Sequence, residues 1–385
     1  MVVPVQGLDW LRADLLNGHG WEPLVAAFRR EHPDVGIDLS VVSQEDLPDV
    51  LRQSSQRGLA PDLLLLRSPL ALSLYRRDLL APIPSADPSI RTVLRTVAPR
   101  MLEQVSVGGQ LTALPAFIEP AVACHDRRRL PQAPASLDAL LAVAAAGQPV
   151  GLAVDPVGLW WTTGPLGADR VMKRIVTGER GVAAAVDATD RARLLGWLTW
   201  LRQAALQSRV TIAAGPQDLI TGLENGSLVW IPCFSLTLRR LERTMGDRLG
   251  VAPLPAGPAG AANPFIASRA WALGRNSSPE QRRLALTLME FSLSPLIQRD
   301  LMLAGQTMLP ANRFVTVPVE SSQRLRAMAQ ALVVSRSDDP FSTALSQERL
   351  TRVVPPIERT VTEVMVGVLP PGQGADALIR LGTLP

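Results

Sequence analysis

Four carboxylates stand where strand and loop signals meet: Asp9, Asp62, Glu119 and Asp155. Two of them facing each other across a cleft would make a general acid/base pair. Nothing in their spacing brings any two together at that distance. Asp62, in Pro61-Asp62 before an apolar run, reads as a turn or cap residue. A nucleophile elbow G-x-S-x-G is missing, as are a P-loop and a G-x-G-x-x-G after a strand. The histidines His19, His32 and His125 are far apart, and no C-x-x-C motif occurs, so no metal site is expected. What the chain has instead is aromatic surface: eight Trp, seven Phe and one Tyr. Large rings beside Asp, Glu and Arg suit holding a ligand better than breaking one.

Several rings fall at strand ends. Trp160-Trp161 follows the strand and turn at Val150 to Val157, with Thr162, Thr163 and Gly164 behind it. An adjacent pair points to opposite sides, so at least one ring is expected to be exposed. Trp10 lies just after the first strand, and Phe234 follows Trp230 and Pro232. Trp197 and Trp200, at i and i+3 of a helical pattern, read as core, as does Trp230 within a strand. Trp21 opens a helix as a staple.

The elements that must carry these residues alternate. Val35 to Val42 reads as a strand, Leu47 to Arg57 as a helix, Asp62 to Leu66 as a strand buried on both faces, and Leu70 to Leu79 as a helix. Such alternation gives a mostly parallel sheet with crossover helices. Ser136 caps a helix from Leu137 to Ala146, and Pro149 to Val154 is a further strand. Beyond Trp160 the pattern is mainly helical, over Gly164 to Val176 and Asp190 to Gln207, with a strand at Leu228 to Ile231. Helices at the C-terminal end are predicted to break at Pro340 and at Pro355-Pro356.

At 385 residues the chain can hold two domains, and 19% charged residues with 47% apolar ones mark it as globular. Formal charge is +4, carried almost wholly by Arg, since Lys173 is the only lysine. The basic residues are scattered among acids with no aromatic-interleaved stripe, which argues against nucleic acid. No apolar run reaches the roughly 18 residues of a membrane span. Cys124 and Cys233 both sit in apolar surroundings, which favours free buried thiols over a bridge.

One stretch, Asp247 to Phe291, orders a short apolar strand (Leu249 to Ala252), a Pro/Gly-rich connection and a second strand (Ala270 to Leu273). A polar cap (Asn276, Ser277, Ser278) then opens an amphipathic helix. Its wording, GVAPLPAGP…PF…S-R-AWAL, resembles the C-terminal half of extracellular solute-binding proteins of ABC importers, in the sugar-binding, maltose-binding-protein-like group. Trp21 to Val42, Leu59 to Ile83, Gly109 to Pro134, Gly226 to Leu236 and Gly305 to Arg313 resemble further family phrases in the same order. Two departures stand out: Cys124-His125 replaces a usual Tyr-Asn, and Asp126-Arg127 replaces a usual Lys-Asp.

The resemblance implies an α/β, two-lobed periplasmic-binding-protein fold of type II, with discontinuous lobes joined by a hinge. Residues 1–114 and 268–312 would form the N-terminal lobe, and 115–267 and 313–385 the C-terminal lobe. It implies no enzyme, no catalytic residue and no cofactor. A small carbohydrate or glycosylated polyol, from monosaccharide to disaccharide or of the glucosylglycerol type, would be captured in an interlobe cleft. Asp9, Trp10, Ser68, Glu119, Asp155, Trp160, Trp161, Phe234 and Arg269 would bind it. Arg269 takes a place where similar proteins have a Gly-Gly ligand loop. Both cysteines would lie in one lobe. The protein would be a monomer delivering its ligand to an ABC permease, in the periplasm or at the cell surface. Met1 runs almost at once into a first strand, so a leader would have been removed. Two rivals remain: a receptor for a polyamine or phosphorylated polyol, and a two-lobed hydrolase or transferase.

Overall fold

The computed structural model describes residues 2–5, 22–43, 46–178, 186–335 and 347–382. The chain divides into two compact units, each made of separated segments. Unit 1 comprises Met1–Ile118 and Ala267–Val317, and unit 2 comprises Glu119–Ile266 and Pro318–Pro385.

Unit 1 begins with β1 (Val2–Val5), α1 (Glu22–Glu31) and β2 (Ser40–Ser43), followed by α2 (Leu47–Gln56), β3 (Leu63–Arg67) and α3 (Ser68–Arg76). β1 pairs in parallel with β2 and β3, the arrangement crossover helices produce. The four leucines of β3 are all buried, as a strand covered on both faces requires. The strand read from Val35 to Val42 is shorter, because residues 33–39 run irregularly after the turn at Pro33. Then come β4 (Leu80–Ala81), α4 (Pro88–Leu94), α5 (Pro99–Glu103) and a hairpin of β5 (Ser106–Val107) and β6 (Gln110–Leu111). Its two turn residues, Gly108 and Gly109, both take positive φ, 56° and 77°, which only glycine adopts freely.

β7 (Leu114–Asp126) carries the chain from unit 1 into unit 2, and all 13 of its residues are buried. Unit 2 continues with α6 (Leu137–Ala145), β8 (Val150–Ala153), α7 (Pro156–Leu159), α8 (Asp169–Thr177), α9 (Ala188–Ala205), β9 (Val210–Ala213) and α10 (Pro216–Glu224). β10 (Trp230–Phe234), α11 (Leu238–Met245) and β11 (Leu249–Ala252) follow. β9, β8 and β10 are parallel neighbours, and β7 pairs antiparallel with both β10 and β11.

β12 (Ile266–Gly274) returns to unit 1, pairing antiparallel with β3, and α12 (Pro279–Ser292), α13 (Pro295–Gly305) and β13 (Leu309–Pro310) complete that unit. α12 starts with a full capping box between Ser278 and Gln281. Trp271 is buried on β12 and donates its indole N–H to Ser292 Oγ at 2.7 Å. Buried Gln298 donates to the carbonyls of Ala116 and Ser292 and accepts from the Ala311 N–H, which ties α13 to the strands.

The last segment belongs to unit 2: α14 (Gln323–Val334), α15 (Gln347–Val366) and α16 (Pro371–Leu381). α15 corrects the sequence reading, since it runs unbroken through Pro355 and Pro356. Pro355 is exposed, while Val353, Ile357 and Val361 on either side are buried, and α15 packs on α9 and α16. Packing of that apolar stripe outweighs the hydrogen bonds that the prolines remove. The predicted break at Pro340 lies outside the described residues.

The cysteines are a second correction. Cys124 and Cys233 are joined in a disulfide, with Cα atoms 5.9 Å apart. Cys124 pairs with Ile231 and Cys233 with Val122 across β7 and β10, so both side chains leave the same sheet face as diagonal neighbours. Apolar flanks are what an inner sheet position gives a cysteine whether bridged or free. Pairing of two strands about a hundred residues apart was what the local sequence did not contain.

Candidate functional site

A pocket of about 380 Å³, counted out to its open mouth, lies in unit 2 where β8 and β10 end. Parallel strands β8 and β10 aim their carboxyl ends at it, the customary place for a ligand on an α/β sheet. Asp155, Trp161, Phe234 and Phe265 are its chemically distinctive walls; Ala153, Leu219 and Pro232 fill much of the rest.

Asp155 is set by the turn that leaves β8. It caps α7, with Oδ1 accepting the Gly158 N–H at 2.7 Å. The other carboxylate oxygen, Oδ2, is shielded from solvent and has no hydrogen-bond partner among the described residues. Burial raises the Asp155 pKa from its ordinary value; the Gly158 N–H pulls the other way, and the Glu358 carboxylate on α15 adds to the rise. Among the described residues, no Lys, Arg or His lines the pocket.

The rings come from two directions. Phe234 ends β10 and meets Phe265 edge to face, with centroids 5.8 Å apart at 87°. Trp161 stands edge to face with Trp230 at 5.9 Å. Trp160 and Trp161 differ from the sequence expectation of one exposed ring: they are only 1% and 2% exposed. α7 is a single turn and runs directly into a 3-10 turn (Trp160–Thr162), so both indoles fold back into the unit. Thr162 Oγ1 then accepts the Trp197 indole N–H at 2.8 Å. Trp161 lines the pocket, while Trp160 does not.

Of the residues named from sequence, the structure thus gathers Asp155, Trp161 and Phe234. Glu119 is buried on β7, two residues before Ala121 of the pocket wall and so on the same strand face. Ser68 and Arg269 are buried in unit 1, Ser68 Oγ lying 2.5 Å from Ser268 Oγ and Arg269 opposite Arg67 on β3. Asp9 and Trp10 lie outside the described residues. Sequence reasoning missed Phe265 and Glu358. The Asn263-Pro264-Phe265 phrase was visible as part of a crossing. Glu358, some two hundred residues from Asp155, gave no signal. Among the described residues no group of three or more His, Cys, Asp or Glu comes together to hold a metal. No described helix is long and apolar enough to cross a membrane.

Residues 23–325 match the family described as bacterial extracellular solute-binding protein. The chain belongs to this family. It is therefore a binding protein and not an enzyme, and its family places it in the periplasm or at the cell surface. The Cys124–Cys233 bridge accords with such an oxidising location. No curated relative matches the chain in sequence.

Solved structures show which fold this solute-binding protein has. The GacH receptor of Streptomyces glaucescens, studied unliganded and with acarbose, matches with a TM-score of 0.74 at 16% identity, over 99% of this chain and 96% of that one. A cyclo/maltodextrin-binding protein complexed with maltotetraose matches with a TM-score of 0.73 at 18% identity, over 99% and 96%. The maltose-maltodextrin binding protein of Alicyclobacillus acidocaldarius matches with a TM-score of 0.70 at 16% identity, over 100% and 99%. The chain has the two-lobed α/β fold of these proteins.

Proposed function

We propose that this solute-binding protein is the substrate-binding component of an ABC importer, capturing a small carbohydrate or glycosylated polyol. The observation that carries the reading is the unit 2 pocket, whose wall combines the acidic residue Asp155 with three aromatic residues, Trp161, Phe234 and Phe265. Rings cover the apolar C–H faces of a sugar, and a carboxylate accepts its hydroxyls in charge-assisted hydrogen bonds. Support comes from the acarbose and maltodextrin ligands of the proteins that share the fold.

In this proposal Asp155, Trp161 and Phe234 contact the ligand, with Phe265 behind Phe234. Asp9, Trp10, Ser68, Glu119 and Arg269 are further proposed contacts, and Trp160 supports Trp161 from the core. The protein works as a monomer and hands its ligand to a membrane permease, with no nucleic-acid partner. The test is a thermal-shift screen against mono- and disaccharides, glucosylglycerol-type polyols, polyamines and phosphorylated polyols. A ligand at 100 times its dissociation constant adds about 2.7 kcal/mol to stability. A shift from a sugar or polyol supports the proposal. A shift confined to polyamines or phosphorylated compounds overturns it.

A further inference from the structure

Three consecutive residues at the end of β10, Pro232, Cys233 and Phe234, belong to the wall of the unit 2 pocket. Their hold on the sheet is one-sided. Pro232 has no N–H to offer a neighbouring strand, and among the described residues β10 pairs with β8 at Trp230 alone. From Pro232 onward the ladder partner is β7, with Pro232 opposite Ala123, Cys233 opposite Val122 and Phe234 opposite Ala121. A strand end paired on one side opens more readily than one enclosed on both. The same stretch of β7 holds the second ring, since the Ala121 N–H donates to the Phe265 carbonyl at 2.8 Å. The edge-to-face contact of Phe234 with Phe265 therefore depends on how firmly β10 stays on β7.

The Cys124–Cys233 bridge ties this end of β10 to β7 covalently, one residue before Phe234. Side chains alternate along a strand, so the bridge leaves the sheet on the face opposite the Phe234 ring. It acts on that ring through the backbone. We infer that the bridge is a positioning element of the ligand pocket: it does for the end of β10 what pairing with β8 does not, and fixes Phe234 against Phe265 in the geometry that receives the ligand. The inference rests on the reading of this pocket as the place where a small carbohydrate or polyol binds, and gives the bridge a part in affinity as well as in stability.

Titration calorimetry at pH 7, well below the melting temperature, tests it with glucose, maltose and glucosylglycerol as probes. Wild type, C124A/C233A, F234A and the triple variant are compared. A probe that binds wild type is expected to bind C124A/C233A about ten-fold or more weaker, while removing the bridge changes affinity less than about two-fold once Phe234 is alanine. A merely structural bridge would weaken both backgrounds alike. Equal affinity of C124A/C233A and wild type, or a loss as large in the F234A background, overturns the inference. Fluorine NMR of the ligand-free protein carrying 4-fluorophenylalanine at position 234 needs no probe. Its resonance should be a single line with the bridge and broaden or split without it; a single line of unchanged width overturns the inference. Binding of none of the three sugars to wild type overturns the carbohydrate reading, and the fluorine line still decides the bridge. If C124A/C233A does not fold, wild type reduced in the folded state with tris(carboxyethyl)phosphine takes its place in both experiments. If that protein also unfolds, the bridge is a strut of the whole unit and the inference fails.

Discussion

Gly250 of β11 sits directly opposite His125 of β7 and receives its imidazole ring on the space where any other residue would carry a Cβ. His125 is buried, and its Nδ1–H donates to the Leu130 carbonyl at 2.9 Å. The glycine is there for close approach, since its φ is not in the left-handed region.

Replacing Gly250 by alanine is therefore expected to destabilise unit 2 by about 1–3 kcal/mol, the usual cost of forcing a methyl into a packed site. Urea unfolding of G250A reads this out. Undiminished stability would mean that the ring swings away freely.

His125 also makes stability depend on pH. Desolvation lowers its pKa below 6.5, with the Leu130 carbonyl resisting that shift. The unfolded chain then binds the proton more readily than the folded one. Stability is full above about pH 6.5 and falls as pH drops from there toward the lowered folded value. Unfolding at pH 7.5 and at 5.5 should differ in wild type, and H125N should flatten the difference. An equal slope in both proteins would assign the effect elsewhere.

Asp155 has the opposite sign. Its raised pKa means that the folded state holds the proton better than the unfolded one, so the ionised carboxylate costs stability at neutral pH. That cost is relieved as pH falls through the folded value toward 3.8. D155N without ligand should thus melt at or above the wild-type temperature at pH 7, with the gap closing near pH 4. A marked loss at pH 7 would show the carboxylate to be structural.

The Cys124–Cys233 bridge closes a loop of 109 residues in sequence. Restricting so long a loop in the unfolded chain contributes about 2–4 kcal/mol in typical cases. Denaturation with and without reductant, and of C124A/C233A, should show that loss. Identical curves would leave the bridge without a thermodynamic role.

Phe234 is half-buried at the pocket and packs on Phe265 without filling the deep core. F234A should weaken the ligand found in the screen about ten-fold or more, as loss of a desolvated ring contact does. Its melting temperature should change far less than that of W161A, because Trp161 is almost wholly enclosed. Normal binding by F234A would remove Phe234 from the ligand site.

Local pattern alone determined much of this. The four leucines of β3, the alternation with helices up to α3, and the Ser136 and Ser278 caps all follow from rules acting over a few residues. The phrase order along the chain already resembled the family that residues 23–325 match. Asp155, Trp161 and Phe234 were legible as strand-end residues, because strand ends are marked by neighbouring Pro and Gly. Tertiary structure decided what those residues face. The single turn of α7 buried both Trp160 and Trp161, and helix packing carried α15 through two prolines. Pairing of β7 with β10 made a disulfide of two cysteines whose apolar flanks read as those of free buried thiols. The approach of Glu358 to Asp155 was decided in the same way, since sequence-distant segments are brought together by burial of shared apolar area and not by any signal in either segment.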